Sequence, residues 1–171
     1  MTRAARILLL PVLLLSACGT PSGSDSVETV RPMAPGDMLA QVRAAGAIGN
    51  ELDVQPLRDP QVEDLRALAT EAEARADFSA AEQFVVSALR IQPGDPDLWQ
   101  WQAELALVQR RWAEAESLAQ RSYAAGPKLG GLCRRNWTTV QFARQTRGDG
   151  AGAAQARQRV DACAVPPPVR M

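Results

Sequence analysis

Histidine is absent from all 171 residues, and lysine occurs once, as Lys128. The chain therefore lacks the commonest general base and metal ligand, which is also the side chain that ordinarily titrates near neutral pH. It also lacks a Gly-x-Ser-x-Gly motif and a phosphate-binding loop. These absences argue against an enzyme, and the sequence predicts no cofactor and no metal site.

Two stretches of the chain correspond to one another 34 residues apart. Residues 77–82 read DFSAAE and are followed by Pro93, whereas residues 111–116 read RWAEAE and are followed by Pro127. A large residue, a small residue at a close contact and a terminating proline, repeated at this period, are typical of stacked helical hairpins.

This pattern resembles the tetratricopeptide repeat (TPR) family. The resemblance implies an all-α domain of about three antiparallel helical hairpins, stacked as a short right-handed solenoid over residues 60–165. The expected repeats are residues 60–93, 94–127 and 132–165. Asp59-Pro60 and Asp95-Pro96 are suitable helix starts, because each pairs a side-chain acceptor with a proline in the first turn.

The third hairpin departs most from the repeat. Trp137 matches Trp99 at a spacing of 38 rather than 34. The four additional residues fit a loop at 128–131. Gln141 and Arg144 stand where the family has small or aromatic residues, so the packing of this hairpin is less strongly specified than its existence.

Cys133 and Cys163 fall near the start and the end of this hairpin, and those ends are neighbours in an antiparallel pair. In an oxidising compartment a disulfide is expected if the Cα atoms come within about 7 Å. We predict that these cysteines form a structural disulfide. The alternative is two buried thiols.

The N-terminus has the plan of a secretory signal, with two arginines before a short apolar run at 7–15. Leu15-Ser16-Ala17-Cys18 resembles the bacterial lipobox. The resemblance implies a signal peptide at 1–17, cleavage before Cys18, and attachment of diacylglycerol and a further acyl chain (such as palmitate) to Cys18. Glycine at position 19 favours the outer membrane, with the protein facing the periplasm. The alternative is an ordinary secretory signal with a chance cysteine.

Between the anchor and the repeats, composition predicts two segments. Residues 18–36 are poor in apolar residues and predict a disordered tether. Residues 37–59 predict a short helix capped by Asp37, which would close the open end of the stack, followed by an irregular segment. The proline-rich residues 166–171 predict only a tail.

TPR stacks bind partners in a groove lined by the first helix of each repeat. Transferring this to matching positions gives a predicted partner-binding groove in which Glu73 and Glu104 are also the strongest candidates for catalysis. Such a groove suits an extended peptide or a partner helix. The alternative is that these are solvated helix faces and the partner binds elsewhere. The groove residues are Arg66, Thr70, Glu73, Gln100, Glu104, Leu107, Arg135, Thr138, Phe142 and Gln145.

Charge is segregated along the chain. Residues 19–120 contain 17 acidic and 8 basic residues, whereas residues 121–171 contain 2 acidic and 9 basic residues. A basic end suits an acidic partner protein, the acidic groups of the cell wall, anionic lipid, or the acidic end of another copy. The alternative is neutralisation within the molecule. The predicted basic end contains Arg134, Arg135, Arg144, Arg147, Arg157 and Arg159.

These features favour a lipid-anchored scaffold that binds an envelope protein or peptide in pilus, secretion or cell-wall assembly. Its membrane contact would be made through the lipid on Cys18. Nucleic acid suits the charge but not the compartment, so it is not an expected partner. The alternative function is a structural spacer that self-associates head to tail through its oppositely charged ends.

Overall fold

The computed structural model describes residues 33–48 and 59–165. These residues belong to one compact unit, Pro32–Met171. The predicted signal peptide, the lipidated Cys18, residues 49–58 and the tail at 166–171 lie outside the described residues, as does most of the predicted tether.

The described part of the chain is helical and contains no strand. Six helices pack in sequence as three pairs, α2 (Pro60–Ala74) with α3 (Phe78–Ile91), α4 (Pro96–Val108) with α5 (Trp112–Ala125) and α6 (Gly130–Thr146) with α7 (Gly150–Ala162). The central pair lies between the other two. The predicted all-α fold of three helical hairpins is therefore confirmed. None of the helices in this part of the chain has the length and hydrophobicity needed to span a membrane. The six paired helices are preceded in the chain by α1, Pro35–Gly46.

The period of 34 residues reappears in the first two hairpins. Helix α3 begins at Phe78 and α5 at Trp112, and the corresponding small residues Ala81 and Ala115 are both fully buried. The structure also has the predicted start of α2, where the Asp59 side chain accepts a hydrogen bond from the amide of Gln61, 2.8 Å away. The Asp95 side chain likewise accepts hydrogen bonds within the first turn of α4. The repeat therefore reflects equivalent packing contacts.

The third hairpin is joined at its open end. Cys133 and Cys163 are bonded in a disulfide, with their Cα atoms 5.6 Å apart. At the other end of the hairpin, Arg144 donates to Glu116 of α5 at 2.7 Å and to the carbonyl oxygen of Gly152 of α7 at 3.2 Å. The arginine that departs from the repeat pattern therefore connects three helices.

Helix α1 differs from its prediction in both start and position. It begins at Pro35, and its N-cap residue Ala34 makes no side-chain capping bond. Asp37 is therefore not the cap. It lies in the first turn, where its negative charge interacts favourably with the helix dipole. Residues 35 and 36, which the prediction assigned to the tether, therefore belong to α1. Helix α1 also does not close the open end of the stack, because it packs on α4 and α6.

The predicted loop at 128–131 is shorter than expected, because Gly130 and Gly131 form the first turn of α6. A Cβ atom at Gly131 would lie 2.5 Å from the carbonyl oxygen of Gly46, the last residue of α1. In the sequence the two glycines indicate a loop. In the structure Gly131 allows the close approach of α6 to α1.

We expect Gly131→Ala to lower the free energy of unfolding by about 1–3 kcal/mol, because the added methyl group forces α1 and α6 apart. Urea denaturation followed by circular dichroism measures this loss. Gly36→Ala in α1 is the matched control, since a Cβ atom there meets nothing within 4 Å. Equal midpoints for the two variants would contradict the close contact.

Candidate functional site

Helix α1 lies on the face formed by α2, α4 and α6, where the sequence predicts the groove; we call this surface the groove face. Its apolar part is a buried cluster in which Met38 and Val42 of α1 join Leu107 of α4 and Phe142 of α6. Leu107 is fully buried and Phe142 is 5% exposed. Helix α1 therefore occupies the apolar part of the predicted groove.

Arg43 of α1 binds the acidic part of the groove face. Its Nη2 atom donates to Glu73 of α2 at 2.9 Å, and its Nε atom donates to Glu104 of α4 at 3.1 Å. Glu104 has no exposed side-chain surface. One arginine of α1 thus bridges carboxylates on two different hairpins.

These contacts continue into a row of alternating charges, which we call the charge row. Arg135 of α6 donates to Glu104 at 2.8 Å and to Asp97 of α4 at 2.9 Å. Arg66 of α2 donates to the other oxygen of Asp97 at 2.8 Å. The row therefore links all three hairpins to α1. In order it contains Arg66, Asp97, Arg135, Glu104, Arg43 and Glu73.

Neutral groups complete the hydrogen bonding of the two groove carboxylates. The indole nitrogen of Trp101 donates to Glu73 at 2.6 Å. The side-chain amide of Gln100 donates to Glu104 at 3.0 Å and to Thr139 of α6 at 2.9 Å. A buried carboxylate is tolerated when charged partners and hydrogen bonds satisfy its oxygens.

Contacts within the row shift the pKa values of Asp97, Arg135 and Arg43 towards their charged forms. Burial by itself raises the pKa of the Asp97 carboxyl, but Arg135 and Arg66 outweigh it and hold the pKa below its ordinary value. Burial lowers the pKa of the Arg135 guanidinium, but Glu104 and Asp97 raise it above the ordinary arginine value. For Arg43, burial is likewise outweighed by Glu73 and Glu104, which raise the pKa. All three groups are ionised at neutral pH.

The end of α1 is held by α6. Arg134, which is buried, donates from Nε to the carbonyl oxygen of Ala45 at 2.9 Å and also bonds the carbonyl oxygen of Ile48. Carbonyl groups in the last turn of a helix have no partner within the helix, so this arginine satisfies them. Gly46 lies against Arg135, since a Cβ atom there would be 2.6 Å from the Arg135 side chain.

Seven of the ten predicted groove residues belong to the charge row, bond a member of it or belong to the cluster around Leu107 and Phe142, and α1 covers part of this surface. Five of the ten are buried, three are half-buried and two are exposed. The charge row also contains Arg43 and Asp97, which the sequence did not single out. The spacing of Leu39 and Val42 indicates a helix with one apolar face, but it does not indicate where that face packs. The buried residues are Gln100, Glu104, Leu107, Thr138 and Phe142, the half-buried ones are Arg66, Glu73 and Arg135, and the exposed ones are Thr70 and Gln145.

Three of the six arginines of the predicted basic end, Arg135, Arg144 and Arg147, form ion pairs within the molecule. Arg134 and Arg135 hold α1 and the charge row, while Arg144 and Arg147 both bind Glu116. Arg159 lies over the ring of Trp137, 5.6 Å from its centroid. Part of the charge on which head-to-tail pairing would depend is therefore paired within one molecule. Within residues 33–48 and 59–165, acidic and cysteine side chains form no cluster of three suited to a metal ion.

Comparison with known proteins identifies a structural relative. The globular C-terminal domain of P. aeruginosa LpoP superposes with a TM-score of 0.58 at 30% sequence identity, over 61% of this chain and 99% of that domain. It is one of eight solved chains that match. No family model and no curated protein matches the chain, so the TPR assignment stays a prediction. Because almost the whole LpoP domain is covered at this identity, the chain belongs to the family of the LpoP C-terminal domain.

Proposed function

We propose that this chain is a lipid-anchored protein of the bacterial cell envelope that binds a protein partner through the groove face. The observation that carries the proposal is that α1 of the chain itself lies in this groove, which supports a helical ligand for the surface. Its setting would be assembly of the cell wall, a pilus or a secretion channel.

The anchoring part of the proposal rests on the N-terminal sequence. Leu15-Ser16-Ala17-Cys18 follows a short apolar run, and several acyl chains on Cys18 would give stable membrane binding where one chain is marginal. Gly19 favours the outer membrane, with the domain in the periplasm. An oxidising periplasm is compatible with the disulfide in the third hairpin.

We propose that the domain has no catalytic activity of its own. Glu73 and Glu104 are the strongest acidic candidates, and both are bound by Arg43. The Glu104 side chain has no exposed surface and that of Glu73 is only 12% exposed, so a substrate has little access to either carboxylate while α1 is in place. This argument favours a scaffold over an enzyme at the groove face.

Fractionation tests the anchor. We expect the wild-type chain in the outer-membrane fraction, and the Cys18→Ser variant either in the soluble periplasm or retained with an uncleaved signal. Metabolic labelling with a fatty acid should mark the wild-type chain and leave Cys18→Ser unlabelled. Equal labelling of both chains would contradict lipidation at Cys18.

Site-specific photo-crosslinking tests the partner. Gln145 is exposed and lies three positions after Phe142 on α6, so both are on the same side of that helix. A crosslinking amino acid at Gln145 should give an adduct with one envelope protein identified by mass spectrometry. The same amino acid at Gln158, exposed on α7, is the control and should not give that adduct. If Gln145 gives no adduct in living cells, or the same adducts as Gln158, binding at the groove face is contradicted.

A further inference from the structure

We propose that the partner presents an amphipathic helix in which two apolar residues lie four positions apart and an arginine directly follows the second, and that α1 competes with this helix for the same site. This inference rests on the proposed function and names the chemistry of its partner. The occupied groove provides the recognition rules, because each contact of α1 identifies a requirement of the surface.

The first rule concerns the apolar residues. Met38 and Val42 are four residues apart and both contribute to the cluster around Leu107 and Phe142. Side chains at this spacing lie on the same side of a helix, whereas in a strand residues four apart lie about 13 Å from each other. The surface therefore selects a helix rather than an extended peptide.

The second rule concerns charge. Among the described residues, only Arg43 forms an ion pair with Glu73. Glu104 keeps Arg135 when α1 leaves, but one of its two oxygens loses the hydrogen bond from Arg43. A helix without a cation would cover these carboxylates without replacing that partner. The ligand therefore needs a positive charge at this position.

The cation is specifically a guanidinium. Arg43 uses Nε for Glu104 and its terminal nitrogens for Glu73, so a single side chain reaches two carboxylates on different helices. Lysine presents one compact ammonium group and cannot reproduce this fork. Arginine is thus favoured over lysine.

The third rule concerns the end of the helix. Gly46 is three residues after Arg43 and touches both Arg135 and Gly131, so a larger side chain has no room there. Arg134 then binds the carbonyl oxygen of Ala45, in the last turn of the helix. The site therefore recognises an apolar residue, a second one four residues later, an arginine immediately after it and a glycine three residues beyond.

Helix α1 is suited to be a removable competitor. It packs on α4 and α6, whereas the contacts that join α2 to α3, α4 to α5 and α6 to α7 do not involve it. Its release would uncover the groove face and leave the three hairpins paired. A ligand that needs the uncovered form binds with an apparent affinity reduced by the fraction of molecules in that form.

The test measures binding of a fluorescent peptide with the sequence of residues 33–48 to the purified full chain, by anisotropy. In the Val42→Asp chain, α1 carries a charge that cannot be buried in the cluster, while every groove-face residue is unchanged. We expect the peptide to bind this chain at least tenfold more tightly than the wild-type chain. A peptide with Arg43→Glu should bind at least tenfold more weakly than the wild-type peptide, and one with Arg43→Lys should be intermediate.

A second variant keeps the test decisive if Val42→Asp does not fold. In the Arg43→Glu chain the glutamate faces Glu73 and Glu104, and repulsion opens α1 without changing its apolar residues. The inference is overturned if a folded open chain binds no peptide, or if the peptides with arginine and glutamate bind equally. If either result is obtained and Gln145 still crosslinks to a partner in cells, only the recognition rule is rejected. The proposed function then remains intact.

Discussion

Replacing Glu104 with glutamine is expected to destabilise the domain by about 3 kcal/mol. Removing one member of a buried ion pair leaves an uncompensated charge, which typically costs about 3–5 kcal/mol. Glu104 is fully buried and is paired with both Arg135 and Arg43. The estimate lies at the lower end of the range because Arg135 retains Asp97 and Arg43 retains Glu73.

Urea unfolding of the Glu104→Gln and wild-type chains measures this loss, provided that the dependence on urea concentration is unchanged. Glu114→Gln is the matched control, since Glu114 pairs with Arg111 at 2.7 Å but its side chain is 44% exposed. An exposed pair contributes less than about 1 kcal/mol. A loss at Glu104 no larger than that at Glu114 would show that the charge row contributes little to stability.

The sequence predicted the hairpins because their signals are local. Asp59-Pro60 and Asp95-Pro96 determine helix starts through contacts within one turn, and the period of 34 residues follows from equivalent alanines. A periodic pattern of this kind depends only on neighbours in the same or the next hairpin. It could therefore be read without knowing the tertiary structure.

The position of α1 could not be predicted in the same way. Arg43 meets Glu104 across 61 residues of sequence, and Arg134 meets Ala45 across 89. Neither contact leaves a periodic signal. The prediction of a loop at Gly131 was wrong for a similar reason. A glycine that permits close helix packing cannot be distinguished in a sequence from a glycine in a loop.

Contacts between distant parts of the chain also explain why acidic and basic residues are segregated along the sequence. Three basic residues of the third hairpin are paired with carboxylates, Arg135 with those of α4 and both Arg144 and Arg147 with Glu116 of α5. Their acidic partners come from earlier in the chain. Segregation of charge along the sequence therefore supports attraction between the hairpins of one molecule.

Removal of the disulfide is expected to have an effect of similar size. Cys133 and Cys163 are separated by 30 residues, and a crosslink that closes a loop of this length stabilises a protein by about 3–4 kcal/mol on the chain-entropy model. The unfolding midpoints of the oxidised wild-type chain, the reduced wild-type chain and the Cys133→Ala/Cys163→Ala chain measure the loss. Reduction separates the crosslink from the packing of the sulfur atoms, and reductant should not change the doubly substituted chain.

The same variant should also loosen α1, because the disulfide holds the first turn of α6 directly before the arginines that bind α1. The amide of Gly130 additionally donates to the carbonyl oxygen of Cys163 at 2.8 Å, so this turn depends on the end of α7. We expect hydrogen exchange in α1 to be faster in the Cys133→Ala/Cys163→Ala chain than in the oxidised wild-type chain under native conditions. Exchange in α3, which belongs to the first hairpin, should change less. Equal acceleration in α1 and α3 would mean that the crosslink stabilises the whole domain uniformly and does not act through the first turn of α6.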